Sequence, residues 1–298
     1  MSKQKKILIV GLGLLGGSYA MGLSKKGWQV QAIDRDEYAL AYAKEKGIID
    51  QGASRDFEEM VAAADRMVFA LYPAAFVKWV EQYKHLFRPG LIFTDVSGVK
   101  CGVVEPIQAM LPEGVEFIAS HPMAGREVSG VQNATDAIFA PANFIITPTE
   151  KNTPAGLAFA RVLAEELGFA HICQLSCAEH DRMIGYVSQL THAIAVSLMC
   201  ASDNTHLAEY TGDSFRDLTR IARINEKLWA ELFLWNRDNL IGEIDMFDAA
   251  LQKLRGFLAD GDRAGLEEMF RLSTVRRAAF DKKQNEPAGA PAARQPEH

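Results

Sequence analysis

Gly11, Gly13 and Gly16 form G-L-G-L-L-G directly after the apolar run Ile7 to Val10 and directly before a helical segment that begins with Leu14 and Leu15. The spacing suits a dinucleotide. The first glycine makes the turn, the second lets backbone approach a pyrophosphate, and the third lets helix pack tightly on strand. The N–H groups and positive dipole end of the helix then face the phosphates. A glycine turn alone is a weak signal, and its context strengthens it. The second strand ends at Asp34, at the usual distance of about 20 residues, where a carboxylate accepts hydrogen bonds from both adenosine ribose hydroxyls and repels a 2′-phosphate. This predicts NAD over NADP. Arg35, next along the chain, would pair with a 2′-phosphate if Asp34 turned away.

A second stretch, Ser120-His121-Pro122-Met123-Ala124-Gly125-Arg126-Glu127, comes after the apolar run Val115 to Ala119. A histidine at the carboxyl end of such a strand sits in the crevice where ligands bind. There an imidazole of ordinary pKa, ~6.5, can accept a hydroxyl proton during hydride transfer, and activity is expected to fall below about that pH. The residues alone leave this reading open against a structural histidine at a turn.

That stretch resembles the histidine-bearing motif of the prephenate and arogenate dehydrogenases, and Asp217-Leu218-Thr219-Arg220-Ile221-Ala222 with Trp229 resembles their second signature. The match runs in order over residues 5 to 280. Two separated motifs and a dinucleotide loop are together far more specific than any one of them. The resemblance implies NAD-dependent oxidative decarboxylation of prephenate to 4-hydroxyphenylpyruvate in tyrosine biosynthesis, or the corresponding reaction of arogenate. His121 would then deprotonate the 4-hydroxyl. Arg220 would bind the ring carboxylate through two parallel donors, with Asp217 holding Arg220 and Trp229 walling the pocket. Read without the family, Asp217 and Arg220 are a solvent-facing helix pair. A less favoured alternative is a 3-hydroxyacid-type NAD(P) dehydrogenase, which usually relies on a lysine or hydroxyl on its long helix.

Three positions depart from the family pattern. After the fifth strand the chain reads Asp95-Val96-Ser97-Gly98-Val99-Lys100, which displaces the expected serine by one position and leaves Ser97 as the candidate for the substrate hydroxyl. Asp213 brings a carboxylate near the expected place of the substrate side chain, where it would favour the amino group of arogenate or simply face solvent. Gln189 stands where some relatives have histidine.

The elements that must hold these residues are legible in the apolar pattern. Short runs at Ile7 to Val10, Val30 to Ile33, Met67 to Leu71, Leu91 to Thr94, Val115 to Ala119, Asn143 to Thr147 and His171 to Leu175 alternate with amphipathic segments, the pattern of a parallel sheet covered by helices. From about Ala178, apolar residues recur at helical spacing through Met183, Ile184, Val187, Leu190, Ile194 and Leu198, and segments 225–238, 240–259 and 263–281 also read as helices. On the first of these, Asp181, Gly185, Ser188 and His192 fall in a sector of about 60° at 100° per residue. The stripe is a pocket wall or a buried hydrogen-bond network, and the resemblance favours the wall, with Ser188 and His192 near substrate. The fold expected is α/β, with a Rossmann-type sheet domain over 1–176, an all-helical substrate and dimerisation domain over 177–284, and a proline- and alanine-rich tail over 285–298 that is too polar to order.

Composition sets the class. Over 298 residues, 48% hydrophobic and 23% charged content is that of an ordinary globular protein, and the apolar runs are read as falling short of the ~20 residues that span a bilayer. A net charge of −6 without a basic stripe argues against nucleic acid. The lysines before Ile7 imitate a signal peptide, but the apolar segment is broken by glycine and lacks a cleavage site. Cys101, Cys173, Cys177 and Cys200 show no disulfide framework, which fits the cytoplasm, and Cys173, Cys177 and His180 match no common zinc spacing, so no metal is expected. Long apolar helices and the resemblance together predict a homodimer. The chain is expected to lack room for the regulatory or mutase domains that some relatives carry.

Overall fold

Eight strands form one sheet in the computed structural model, which describes residues 5–280. They are β1 (Lys6–Val10), β2 (Gln29–Ile33), β3 (Gln51–Ala53), β4 (Arg66–Phe69), β5 (Ile92–Asp95), β6 (Glu116–Pro122), β7 (Asn143–Thr147) and β8 (His171–Gln174). Six helices connect and cover them: α1 (Leu14–Lys25), α2 (Glu37–Glu45), α3 (Glu58–Ala62), α4 (Pro73–Tyr83), α5 (Cys101–Met110) and α6 (Pro154–Leu167). The order is β3-β2-β1-β4-β5-β6-β7-β8. Strand order therefore reverses beside β1, and the crevice at that switch point lies at the strand ends that carry Gly11 and Asp34.

Strand alternation builds the core on both faces of the sheet. Ile7 and Ile9 join Tyr19, Leu23, Val30 and Phe144 on one side, while Leu8 and Val10 join Phe69, Phe76, Phe93 and Phe117 on the other. Burial on both faces is why these strands read as continuous apolar runs. Each large apolar side chain removed from water this way contributes roughly 1.5–3 kcal/mol before the cost of ordering the chain.

Two features differ from the expected sheet. A three-residue edge strand, β3, pairs with β2 over Gln51 to Ala53, too short and too polar to announce itself. The pairing of β6 with β7 is antiparallel. A parallel return needs a crossover, usually a helix, and only single 3-10 turns, Val131–Asn133 and Asp136–Ile138, lie between these strands.

Beyond β8 the chain is helical, as expected: α7 (Cys177–Ile184), a π-helical turn (Gly185–Leu190), α8 (Thr191–Cys200), α9 (Asp213–Thr219), α10 (Glu226–Trp235), α11 (Arg237–Asp260) and α12 (Arg263–Ala278). Ser176 and Glu179 close a capping box that starts α7. Compact units divide between Glu243 and Ile244, so the change from strand to helix at residue 176 is not a break in packing. The tail expected over 285–298 lies outside the described residues.

One expectation is corrected. Among the described residues the helix Cys177–Cys200 has 24 residues and contains an 18-residue window of mean hydropathy 1.3, enough by length and composition to cross a bilayer. Its amino-terminal half is nevertheless committed to protein, because His180 and Asp181 are buried there against α5. Its exposed apolar residues include Met183, Tyr186, Val187, Leu198 and Met199.

Candidate active site

The glycine loop is built as the spacing requires. Gly11 has φ +97°, and a Cβ there would lie 2.6 Å from the carbonyl oxygen of Ala70; at Gly16 it would lie 1.8 Å from the carbonyl oxygen of Gly11. Gly13, the N-cap of α1, carries no side-chain cap and would meet nothing within 4 Å. Protein packing therefore demands glycine at 11 and 16, whereas the space beside Gly13 fits close approach of a pyrophosphate. Leu14 and Leu15 begin α1 at this mouth. Asp34 is held from both sides: Leu12 N donates to Oδ2 (2.5 Å) and Asp36 N to Oδ1 (2.8 Å). Its charge is anchored where the adenosine ribose would lie, and Arg35 is exposed. These residues fit a dinucleotide. Gly13→Ala is expected to weaken dinucleotide binding about tenfold or more, a loss of at least ~1.4 kcal/mol, with Tm unchanged, whereas Gly16→Ala lowers Tm; titration calorimetry and thermal melts separate the two.

His121 stands on the penultimate position of β6 and is only partly buried. Its Nδ1 lies 2.9 Å from Nε2 of His180, whose Nδ1 lies 2.7 Å from Oδ1 of Asp181. Asp181 in turn accepts the backbone N–H groups of Lys100 and Cys101, each at 2.8 Å, at the start of α5. Burial pushes the Asp181 carboxyl up, but hydrogen bonds from His180 and Cys101 outweigh it and the net shift is downward. An ionised carboxylate only accepts, so His180 donates through Nδ1 and offers the lone pair of Nε2 to the N–H on Nδ1 of His121. The Nε2 of His121 is left as an acceptor, the tautomer a general base needs.

Electrostatics keep that base neutral. Burial pushes the His121 pKa well below the usual imidazole range, and the neighbouring His180 and Lys100 add to the shift. His180 is also lowered, by burial first, against the opposing pull of Asp181. Cys101 is pushed up to about 12 by burial, the Asp181 charge and a hydrogen bond to Asp181, so it stays a thiol.

Beneath His121 a buried ion pair sets the backbone. Lys100 Nζ donates to Asp95 Oδ2 (2.8 Å) and to the carbonyl oxygen of Ser120 (2.6 Å). Asp95 also accepts Ser120 N (2.9 Å) and Ser97 N (3.1 Å). One carboxylate thereby joins the end of β5, which carries Ser97, to the end of β6, which carries His121. A Cβ on the intervening Gly98 would lie 3.8 Å from His121 Cε1 and 3.4 Å from Leu232. The hydroxyl of Ser97 is buried without a partner among the described residues. A buried orphan hydroxyl is uncommon, and this one fits a polar group of a ligand beside His121.

Helices α8 to α10 supply a second cluster. His192 donates Nδ1 to the carbonyl of Ser188 (2.9 Å), which also accepts the hydroxyl of Thr191 (2.6 Å), and its ring stacks on Trp229 with centroids 3.6 Å apart. Burial lowers the His192 pKa, opposed by the Ser188 carbonyl and Glu127 and assisted by Arg220. Trp229 lies three residues before Leu232, so α10 links this cluster to Gly98 and His121.

Arg220 pairs with Glu127, whereas Asp217 is exposed and its carboxylate makes no hydrogen bond or ion pair among the described residues. The part expected of Asp217 in holding the guanidinium thus falls to Glu127. Arg220 itself opens a 3-10 turn just after α9, a break that turns it out of the regular helix. Asp213 faces solvent and pairs with Arg216 at 3.1 Å. In the sequence His180 is weighed only as a metal ligand, and Glu127, Asp95 and Lys100 stand within motifs without a role in the site. The signal for His180 was its neighbour Asp181 on the polar stripe; the wheel put His180 a full 100° away.

Comparisons with known proteins identify the family. Residues 19–173 match the family model for the nucleotide-binding domain of prephenate dehydrogenase, and residues 176–272 match that for its dimerization domain. The first match begins beyond the glycine loop, which stands on its own geometry. A prephenate dehydrogenase of Bacillus subtilis (strain 168) is 31% identical over 279 residues, 90% of this chain and 74% of its own. A cyclohexadienyl dehydrogenase of Zymomonas mobilis is 30% identical over 289 residues, 94% of this chain and 97% of its own. The crystal structure of prephenate dehydrogenase from A. aeolicus in complex with hydroxyphenyl propionate and NAD+ aligns with a TM-score of 0.85 at 27% identity, covering 94% of this chain and 99% of that one.

Proposed function

Because the chain belongs to the prephenate dehydrogenase family, we propose that it is a prephenate dehydrogenase that uses NAD+ to convert prephenate to 4-hydroxyphenylpyruvate. The observation that carries this reading is the chain of hydrogen bonds that leaves Nε2 of a neutral His121 free to accept a proton. Bound NAD+ would supply the hydride acceptor, held by Gly11, Gly13, Leu14, Leu15, Gly16, Asp34 and Arg35. His121 takes the proton of the 4-hydroxyl, and Ser97 hydrogen-bonds the same oxygen. As negative charge grows there, the hydride on the carbon that bears this oxygen would pass to the dinucleotide, the ring carboxylate would leave as carbon dioxide with its bonding pair entering the ring, and the phenol oxygen would take the proton back from His121. His180, itself oriented by Asp181, accepts from Nδ1 of His121 and so holds the ring with Nε2 toward the proton it takes. Arg220 exchanges Glu127 for the ring carboxylate, while His192, Ser188 and Trp229 wall the substrate side chain; Asp217 stays within the substrate-binding signature without a contact of its own. The anchored carboxylate of Asp34 is the support for NAD over NADP.

Arginine at 220 should matter as a fork and not only as a charge. Arg220→Gln is expected to raise KM about 10- to 100-fold with a smaller change in kcat, the size of a lost charge-assisted hydrogen bond of ~1.5–3 kcal/mol. Steady-state kinetics check it, and an unchanged KM removes Arg220 from the site.

A second reading, arogenate, is favoured by one observation. His192 commits its Nδ1 proton to the Ser188 carbonyl and is held neutral, so it presents an acceptor that suits an ammonium group. Initial rates with both substrates and both cofactors, measured side by side, test the whole assignment. Turnover of neither substrate would end it, and NADP+ turnover equal to NAD+ would end the role given to Asp34. The residues 177–284 are proposed to form a homodimer whose partner copy covers the exposed apolar face of Cys177–Cys200, in the cytoplasm, where the free cysteines stay reduced.

A further inference from the structure

The helix that carries His180, Asp181 and His192 changes type in the middle. Between α7 and α8 it makes a π turn over Gly185–Leu190. Such a turn adds about one residue to the helical register and swings the residues downstream of it by roughly 100°. In an unbroken α-helix Asp181 and His192, eleven residues apart, would lie within about 20° of each other on the wheel. Here they serve different neighbours: Asp181 reaches the start of α5, and His192 lies on Trp229 of α10.

Two buried carboxamides sit where that change occurs. Gln189, within the π turn and 1% exposed, donates Nε2 to the carbonyl of Leu232 (3.0 Å) and accepts on Oε1 from Asn236 Nδ2 (2.7 Å). Asn236, the C-cap of α10 and 4% exposed, gives the same nitrogen to the carbonyl of Asp181 (2.8 Å) and accepts on Oδ1 from Asn239 Nδ2 (2.7 Å). Every polar atom of both side chains that needs a partner has one. A satisfied buried network of this kind specifies register more than it adds stability, since apolar residues of similar shape would pack as well. A π turn is rare, and it persists where its surroundings over-determine it.

We propose that Gln189 and Asn236 are positioning residues that lock the π turn onto α10 and so hold the His192–Trp229 stack in register with the His121–His180–Asp181 chain. This deepens the site proposed above and rests on it for its kinetic readout only. The test uses the full chain and three variants: Gln189→Met, Asn236→Leu, and both together. The indole of Trp229 reports the stack directly, because a protonated imidazole quenches it, and Trp229→Phe identifies its share of the emission. The charged groups that face His192 are Glu127 and Arg220, with the Ser188 carbonyl on its Nδ1, and none of them is altered in the variants.

Each single variant is expected to move the pH midpoint of quenching upward, toward the ordinary imidazole value of ~6.5, as the stack loosens. Substrate KM should rise about tenfold, equivalent to ~1.4 kcal/mol, with kcat changed less than about threefold. The double variant should recover part of the Tm that Asn236→Leu loses, because the Gln189 oxygen is no longer left without a donor, while Asn239 Nδ2 still lacks its acceptor and the midpoint and KM remain shifted. Recovery of all three quantities in the double variant would reduce the pair to filling and overturn the proposal, as would an unmoved midpoint in both single variants. If the wild-type chain turns over neither substrate, the fluorescence midpoint alone decides.

Discussion

His121→Asn is expected to lower turnover at least ~10²-fold, the contribution of a positioned general base, while dinucleotide affinity measured by titration calorimetry stays within error of wild type. The separation arises from the structure, since His121 hydrogen-bonds to His180 whereas Asp34 is held by the backbone of Leu12 and Asp36. In the wild-type chain the acidic limb of kcat/KM should lie clearly below pH ~6.5, the ordinary histidine value. Activity needs the unprotonated base, burial with His180 and Lys100 nearby lowers the folded pKa, and protonation therefore sets in only at lower pH. This replaces the limb near the ordinary value expected from sequence alone. A wild-type limb at or above the ordinary value, or full turnover in the variant, would remove His121 from the chemistry.

The second large effect is expected at a residue that touches no substrate. Asp181→Asn should cost on the order of 10²-fold in kcat, by the logic through which an asparagine in place of a triad aspartate fixes the wrong histidine tautomer. The side chain now faces three donors: His180 Nδ1, Lys100 N and Cys101 N. An amide has one acceptor oxygen, so its NH2 group must confront an N–H wherever it turns. If it turns toward His180, that imidazole is driven to protonate Nε2 and His121 loses the acceptor for its own Nδ1–H. The positioning role has a readout that simple destabilisation lacks. The apparent pKa of the acidic limb should move in Asp181→Asn while KM changes little. A variant that loses stability but keeps both kcat and the wild-type pH profile would show that Asp181 merely anchors α5.

The apolar pattern of the chain by itself determined the seven longer strands, the helical region after them, the glycine loop, Asp34 at the end of β2 and His121 at the end of β6. Each is a local statement, since period, turn chemistry and strand ends are written in neighbouring residues. What only the tertiary structure decided is the partnering of these residues across the chain. His121 meets His180, 59 residues away, and Arg220 meets Glu127, 93 residues away, although Asp217 was the nearer candidate. The direction of β7, the π turn that redirects His192, and the ion pair beneath Ser120 are of the same kind. A hydrogen bond between distant side chains depends on where whole elements come to rest, and that placement is set by the collective packing of the core, which no single stretch of sequence encodes.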